Sequence, residues 1–132
     1  MKNIKFTHFL IALFFSISLL SCKNTVKSQD LSMPLVINPE YHIYDTHGER
    51  GYEVSFELSK KSPRPVAIVL NKIKQDITKD DVKKGKKYKI NVINSTQIKD
   101  YKIKVYNSIP NGLIYKQNDT YYLQPVFFNL KK

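Results

Sequence analysis

The alternation of apolar and polar residues in residues 52–59 is the feature that most limits how this chain folds. Every second position is apolar, and these positions hold Tyr52, Val54, Phe56 and Leu58. Glutamate and serine occupy the positions between them. Because successive side chains of a β-strand point to opposite faces of a sheet, the alternation predicts a strand with one buried face. Residues 88–92 and 101–105 repeat the pattern and predict two further strands.

The apolar run of residues 66–70 predicts a further, more central strand. Turn-forming residues lie between the predicted strands. Residues 60–65 contain two prolines, residues 94–96 are polar, and Pro110-Asn111-Gly112 predicts a reverse turn in which Gly112 tolerates positive φ. Residues 117–120 predict a hairpin turn between residues 113–116 and 121–130. Pro125 cannot donate a hydrogen bond to a sheet, so it marks an edge strand or a bulge.

This spacing of strands and turns predicts an all-β fold, namely an immunoglobulin-like β-sandwich of about seven strands. A small closed β-barrel is the alternative. One short interruption fits a helical turn, since Thr78 and Asp81 have the spacing of an N-terminal cap and Gly85 follows as a C-terminal glycine. The same residues also fit an irregular loop.

The N-terminus has the layout of an export signal. Lys2 and Lys5 supply positive charge, and residues 9–20 are mostly apolar and uncharged. This length suits the core of a signal peptide, whereas a membrane span needs roughly 20 apolar residues. Because 17 residues separate Lys5 from Lys23, length alone also allows an uncleaved anchor. The last residues of this segment favour a cleaved signal peptide over an uncleaved anchor.

That ending, Leu19-Leu20-Ser21-Cys22, resembles the lipobox of bacterial lipoproteins. In that family a leucine stands three residues before the cysteine, a small residue directly precedes it, and the thiol receives a diacylglycerol. The resemblance implies a signal peptide of residues 1–21 and lipidation of Cys22. The polar, irregular composition that follows predicts a flexible tether, so that residues 22–34 hold the lipidated cysteine and the tether, and the alternating pattern places the β-sandwich domain at residues 35–132. A chance cysteine after an ordinary signal peptide or in a membrane helix is the alternative. Cys22 is the only cysteine of the chain, so an intramolecular disulfide is impossible.

The same resemblance implies a place in the cell. Lipoproteins of this kind are commonly sorted to the outer membrane unless an aspartate follows the cysteine, and here Lys23 follows it. The residues after Cys22 form no acidic cluster of the kind that directs surface display. We therefore expect a cell-envelope protein anchored in the outer membrane through its N-terminal lipid and facing the periplasm. The rest of the chain resembles small uncharacterised envelope lipoproteins in general layout, which implies no activity.

The positive charge of the chain does not predict nucleic-acid binding. Without Lys2 and Lys5, 20 basic residues face 11 acidic ones, which leaves a formal excess of nine. Arg50 and Arg64 are the only arginines, although arginine is the residue preferred for bidentate phosphate recognition. An export signal also separates the protein from cellular nucleic acid. We expect a basic, solvated surface and no nucleic-acid partner.

The sequence offers little for catalysis. His42 and His47 are the only histidines after the signal segment, and they are weak candidates for a metal site because an odd spacing on a strand points them to opposite faces. A turn near residues 45–51 would be needed to bring them together. The chain has no Gly-x-Ser-x-Gly and no glycine-rich phosphate loop. We expect no enzyme activity and no cofactor.

Tyrosine is abundant, with nine residues, and tryptophan is absent. Most tyrosines suit sheet packing, while Tyr115, Tyr121 and Tyr122 are the candidates for an exposed partner face. Two hypotheses follow. The first is a lipid-anchored, non-catalytic binding or structural module that engages an envelope protein. The second is a lipid-tethered inhibitor of a hydrolase, such as a lysozyme or a protease, or a ligand sensor.

Overall fold

The computed structural model describes residues 32–132. The predicted signal peptide, Cys22 and most of the predicted tether lie outside the described residues. The strands in this part of the chain are β1 (Val36–Thr46), β2 (Glu49–Leu58), β3 (Pro65–Leu70), β4 (Ile73–Asp76), β5 (Val82–Lys83), β6 (Lys87–Thr96), β7 (Lys104–Val105), β8 (Gly112–Gln117), β9 (Thr120–Pro125) and β10 (Asn129–Leu130).

The strands form two five-stranded sheets. Sheet 1 has the order β10-β1-β2-β6-β5, and sheet 2 has the order β7-β4-β3-β8-β9. Within sheet 1, β1-β2-β6-β5 matches the A-B-E-D order of an immunoglobulin-like sandwich, and β4-β3-β8-β9 in sheet 2 matches its C′-C-F-G order. The all-β sandwich predicted from the sequence is therefore confirmed. The alternative of a closed barrel is wrong, because neither sheet closes on itself.

The core lies between the sheets and explains the alternation in residues 52–59. Val54 and Leu58 are fully buried and Phe56 is 4% exposed, whereas the intervening residues are more exposed. On β6, Tyr88, Ile90 and Val92 face the same core. Burial of each large apolar side chain contributes about 1.5–3 kcal/mol, so this row of alternating residues does most to hold sheet 1 on sheet 2.

Four connections between neighbouring strands of the described chain contain two consecutive residues with positive φ, at residues 47–48, 71–72, 84–85 and 118–119. Asn118 and Asp119 have φ values of 48° and 62° and join β8 to β9, as the sequence predicted for residues 117–120. His47 and Gly48 join β1 to β2 in the same way, with φ values of 46° and 82°. Positive φ at both central residues is the feature of the type I′ turn, which matches the twist of the strands it connects.

The first described residues are held against the domain. Pro34 is fully buried, and its carbonyl accepts a hydrogen bond from Nε2 of Gln124 at 2.9 Å. The backbone N–H of Leu35 donates to Oγ of Ser59, also at 2.9 Å. Met33 packs on the core. Residues 33 and 34, which the sequence placed in the tether, thus contact the sandwich.

Three local predictions need correction. Residues 94–96 continue β6 instead of forming a turn. Of residues 101–105 only Lys104–Val105 forms a strand, since β7 pairs with just two residues of β4. The segment 121–130 divides at Pro125, where β9 ends, and its last residues join the other sheet as β10. Proline supplies no N–H to continue the ladder, which accounts for the break.

The predicted helical interruption is present as a single 3₁₀ turn, Lys79–Asp81. The backbone N–H and the hydroxyl of Thr78 both donate to Oδ2 of Asp81, at 2.7 and 2.9 Å. No helix within residues 32–132 has the length and apolar character needed to cross a bilayer.

Candidate functional site

The three tyrosines of the predicted partner face do not share a face. Tyr115 is fully buried in the core, and its hydroxyl donates a hydrogen bond to Oε1 of Gln124 at 3.0 Å. Burial, with a smaller contribution from neighbouring Tyr88, raises the pKa of the Tyr115 phenol well above its usual range. Tyr115 cannot contact a partner from this position, and we remove it from the candidate face.

Tyr121 and Tyr122 are exposed on opposite faces of β9. Tyr122 lies opposite Tyr115 in the ladder and is 39% exposed, while Tyr121 lies opposite Lys116 and is 62% exposed. The ammonium of Lys116 is 5.8 Å from the centroid of the Tyr121 ring, within range of a cation–π contact. Adjacent strand residues must point in opposite directions, so aromatic rings flank β9 on both sides.

Strand β9 is an edge strand, and this makes its exposure significant. In sheet 2 it is paired only with β8, which leaves its other side without a neighbouring strand among the described residues. Alternate residues of an edge strand direct their N–H and C=O groups outward, where another strand can bind them. The six residues of β9, Thr-Tyr-Tyr-Leu-Gln-Pro, carry no charge.

The other sheet edges are protected in a way that β9 is not. Each ends in a strand of two residues, namely β5, β7 or β10, beyond which the longer neighbours β6, β4 and β1 are unpaired on that side. The unpaired residues of these neighbours include Lys89, Asp76 and Asp45. Lysine lies within β5 and β7, and Lys131 and Lys132 follow β10 directly. Short length and lysine are two devices by which natural proteins prevent unwanted strand addition. Strand β9 is both three times as long and uncharged.

The two histidines lie in different settings. His42 is on β1, and its Nε2 is 3.3 Å from Oε1 of Glu53, an oxygen that also lies 2.9 Å from Nζ of Lys89. His47 is a central residue of the turn between β1 and β2. Within residues 32–132 no group of three or more histidine, cysteine, aspartate or glutamate side chains is arranged to hold a metal ion.

A groove of about 340 Å³ opens where the first residues of β3, the 3₁₀ turn and β6 meet. Its lining residues are Arg64, Pro65, Ile77, Thr78, Lys79, Val82 and Tyr88. Tyr88 reaches it from β6, next to Val82 on the paired strand β5. The groove therefore combines two cations with an apolar wall and one phenol.

Tyr88 is the unusual member of this groove. It is 3% exposed, and its ring stacks on Phe56 with centroids 4.8 Å apart. Its hydroxyl is closed off from water and has no hydrogen-bond partner in the described part of the chain. Burial raises the pKa of Tyr88, and the positive charge of Arg64 acts against that rise. The guanidinium of Arg64 therefore favours the ionised form of the Tyr88 phenol.

A second groove, of about 390 Å³, is lined mainly by charged residues that already have partners. Asp76 receives a hydrogen bond from Nζ of Lys104 at 2.8 Å and has Lys74 at 3.7 Å. The hydrogen bond from Lys104 is the main reason why the pKa of Asp76 is lowered. Glu53 and Lys89 pair at 2.9 Å in the same groove. These charged side chains pair with one another, so few of them are available to bind a ligand.

Sequence reasoning missed the Tyr88 groove because its residues come from three separate segments. Residues 60–65 were interpreted as a turn and Tyr88 as the start of an ordinary strand, so nothing linked them. One signal was present: Arg64 is one of two arginines in a chain with 22 basic residues. The other, Arg50, pairs with Asp45 at 2.8 Å, whereas Arg64 has no ion-pair partner among the residues described.

Comparison of this chain with protein-family models, with curated proteins and with solved structures found no match.

Proposed function

We propose that this protein is a lipid-anchored, non-catalytic binding module of the bacterial cell envelope, and that it engages a partner protein through strand β9. The binding mode is strand addition, in which an extended segment of the partner pairs with the open edge of sheet 2. Main-chain hydrogen bonds supply affinity in this mode, and side chains on alternate positions supply selectivity.

The observation that carries the proposal is the contrast between β9 and the other sheet edges. The other three edges end in two-residue strands, have lysines in or beside those strands and carry charged residues on the unpaired part of the next strand, while β9 has six uncharged residues. An edge of this kind is a liability unless it is used, because it templates association. Tyr121 and Tyr122 add an aromatic ring on each side of the added strand.

Charge favours a different protein as the partner over a second copy of this chain. Without Lys2 and Lys5 of the predicted signal peptide, 20 basic residues stand against 11 acidic ones, so two copies, each with a formal excess of nine positive charges, repel one another at long range. A partner segment with acidic residues beside its apolar ones is attracted by the same field. Lys116, next to Tyr121, is one cation close to the edge.

The anchor in this proposal rests on the lipobox resemblance of residues 19–22. Nine residues lie between Cys22 and Ser32, so a fully extended chain spans about 35 Å between the lipid and the first described residue. A domain held at that distance can meet proteins embedded in or lying on the same membrane. The non-catalytic part rests on the scarcity of histidine and on the lack of glycine-rich catalytic motifs in the sequence.

Site-specific photocrosslinking in intact cells tests the proposal. A photoreactive residue at Tyr122 in β9 should give one defined adduct with an envelope protein. The matched control is Val105, which is 58% exposed on the opposite edge of the same sheet, and it should give none. Equal adducts from both positions would contradict a β9 interface, and an adduct with the mass of a dimer would identify a second copy as the occupant.

A further inference from the structure

The groove around Tyr88 has an incomplete polar end. The Tyr88 hydroxyl is buried without a partner in the described part of the chain, where leaving a donor unsatisfied costs about 1–3 kcal/mol. Arg64 and Lys79 line the same groove, and neither makes an ion pair within residues 32–132. The carboxylates of Asp80 and Asp81 line the other groove and not this one. The residues that line this groove thus include one unpaired hydroxyl and two cations, and no carboxylate.

Apart from Thr78, the other residues that line the groove are apolar. Pro65 is buried at the start of β3, and Ile77 and Val82 are partly buried and pack on the core. Binding sites for small molecules combine apolar walls with a few convergent polar groups, and their volumes begin at about 300 Å³. At about 340 Å³ this groove lies near the lower limit, so its occupant must be small.

We propose that this groove binds a small carboxylate with an apolar body, which accepts hydrogen bonds from the Tyr88 hydroxyl and the Arg64 guanidinium. A carboxylate matches the planar fork of arginine, and its second oxygen can accept from a phenol. The apolar wall formed by Pro65, Ile77 and Val82 favours such a molecule over inorganic phosphate. Because the hydroxyl is closed off from water, the side chains around it must move as the carboxylate enters.

This site is independent of the proposed strand addition, since none of its lining residues belongs to β9. The residues that line the groove indicate which substitutions test it. Tyr88→Phe removes only the hydroxyl and keeps the ring stacked on Phe56. Arg64→Gln removes the guanidinium. Arg50→Gln is the matched control, because it removes the only other arginine, which pairs with Asp45.

Calorimetric titration of the full-length protein in mild detergent, with butanoate and benzoate as probes, tests the site. We expect binding of the carboxylates, at least about tenfold weaker binding by the Tyr88→Phe and Arg64→Gln variants, and unchanged binding by Arg50→Gln. Butanamide and benzamide, which have the same shape without the charge, should bind at least about tenfold more weakly. Nuclear magnetic resonance shifts of Ile77 and Val82 on titration would support the location.

Three results would overturn the proposal. The first is equal binding of the amides and the carboxylates. The second is binding that the Tyr88→Phe variant retains in full. The third is tighter binding of inorganic phosphate than of either organic acid, which would contradict the role of the apolar wall.

Discussion

Tyr88 and Tyr115 enter the same core from opposite sheets, yet only the hydroxyl of Tyr115 has a hydrogen-bond partner. Tyr115 donates to Oε1 of Gln124 at 3.0 Å, whereas the hydroxyl of Tyr88 has no partner in the described part of the chain. Both side chains are almost completely buried, at 0% and 3% exposure. Both phenols are therefore buried, but only that of Tyr115 has its hydroxyl hydrogen-bonded within the described part of the chain.

We predict opposite effects when each of these tyrosines is changed to phenylalanine. Tyr115→Phe should lower the free energy of unfolding by about 0.5–1.5 kcal/mol, because it removes a hydrogen bond to the partly buried side-chain oxygen of Gln124. Tyr88→Phe should leave the free energy unchanged or raise it by up to about 1 kcal/mol, because it removes an unpaired polar group. Urea unfolding followed by circular dichroism measures both values. A loss of more than about 1 kcal/mol in Tyr88→Phe would mean that the hydroxyl has a partner.

The second prediction concerns acid stability and Asp76. The hydrogen bond from Lys104 lowers the pKa of Asp76 below its ordinary value of 3.8, so the folded state favours the carboxylate. This stabilisation is present above pH 3.8 and is lost as the pH falls through the lower, folded-state pKa. Asp76→Asn should remove it, so that the variant loses less stability than the wild type between pH 5 and 2. Asp76 is 57% exposed, and the difference should be only about 0.5 kcal/mol.

Denaturant unfolding at a series of pH values measures this difference. At about 1 M salt, charges are screened beyond about 3 Å. The difference in unfolding free energy between the wild type and Asp76→Asn should therefore become smaller. Parallel pH profiles for the two proteins at low salt would contradict the role of the Asp76–Lys104 pair.

The sheets were predictable wherever side chains repeat with period two or remain apolar over several residues. Residues 88–92 and 66–70 lie in strands, as do residues 52–59 apart from Ser59, because their apolar residues fill the core on one or both faces. Residues 101–105 have the same alternation, yet only two of them pair with β4. Alternation records which side chains can be buried, and it does not record whether a neighbouring strand is long enough to pair.

The candidate sites were less predictable because they depend on which segments meet. Pro125 indicated an edge or a bulge, and β9 is indeed an edge strand. Period two also separates Tyr121 from Tyr122, but the burial of Tyr115 follows only from the packing of sheet 2 on sheet 1. The Tyr88 groove combines residues 64, 79 and 88, and nothing local to any of them indicates the others.

Gly112 gives the third prediction, and for a different reason from the one the sequence suggested. Positive φ was expected there, but among the described glycines it occurs at Gly48 and Gly85. At Gly112 an added Cβ would lie 2.3 Å from the backbone oxygen of Gln124 on β9. Gly112→Ala must therefore push β8 and β9 apart and should cost about 1–3 kcal/mol of unfolding free energy.

The control for Gly112→Ala is Lys116→Ala on the same strand, at an exposed position, which should change stability by no more than about 0.5 kcal/mol. Thermal unfolding monitored by circular dichroism compares the two variants. A Gly112→Ala protein as stable as the Lys116→Ala protein would show that β9 moves without penalty at Gln124.

The fourth prediction places a negative charge on the open edge. Tyr121→Glu should change the unfolding free energy by no more than about 0.5 kcal/mol, because Tyr121 is 62% exposed and outside the core. It should nevertheless abolish the crosslink formed from position 122, since a negative charge on β9 repels the acidic partner segment. The adduct is measured by immunoblot of intact cells. A matched Tyr121→Phe variant keeps the ring and should keep the adduct, and an undiminished adduct in Tyr121→Glu would contradict binding along β9.

The last prediction concerns Cys22, because the position of β9 relative to the membrane depends on it. If residues 19–22 are a lipobox, cells grown with labelled palmitate should label the wild-type protein, and Cys22→Ser should abolish the label because serine has no thiol to alkylate. Ser21→Ala keeps a small residue before the cysteine and should keep the label, which controls for general damage to the signal. Mass spectrometry of the native protein should then find acyl chains on an N-terminal Cys22.

Each acyl methylene buried in the bilayer contributes about 0.8 kcal/mol, so two or three chains would hold the domain at the membrane. An intact leader or an unmodified thiol on the isolated protein would remove the anchor from the proposed function, while the crosslink from β9 would still test the binding mode by itself.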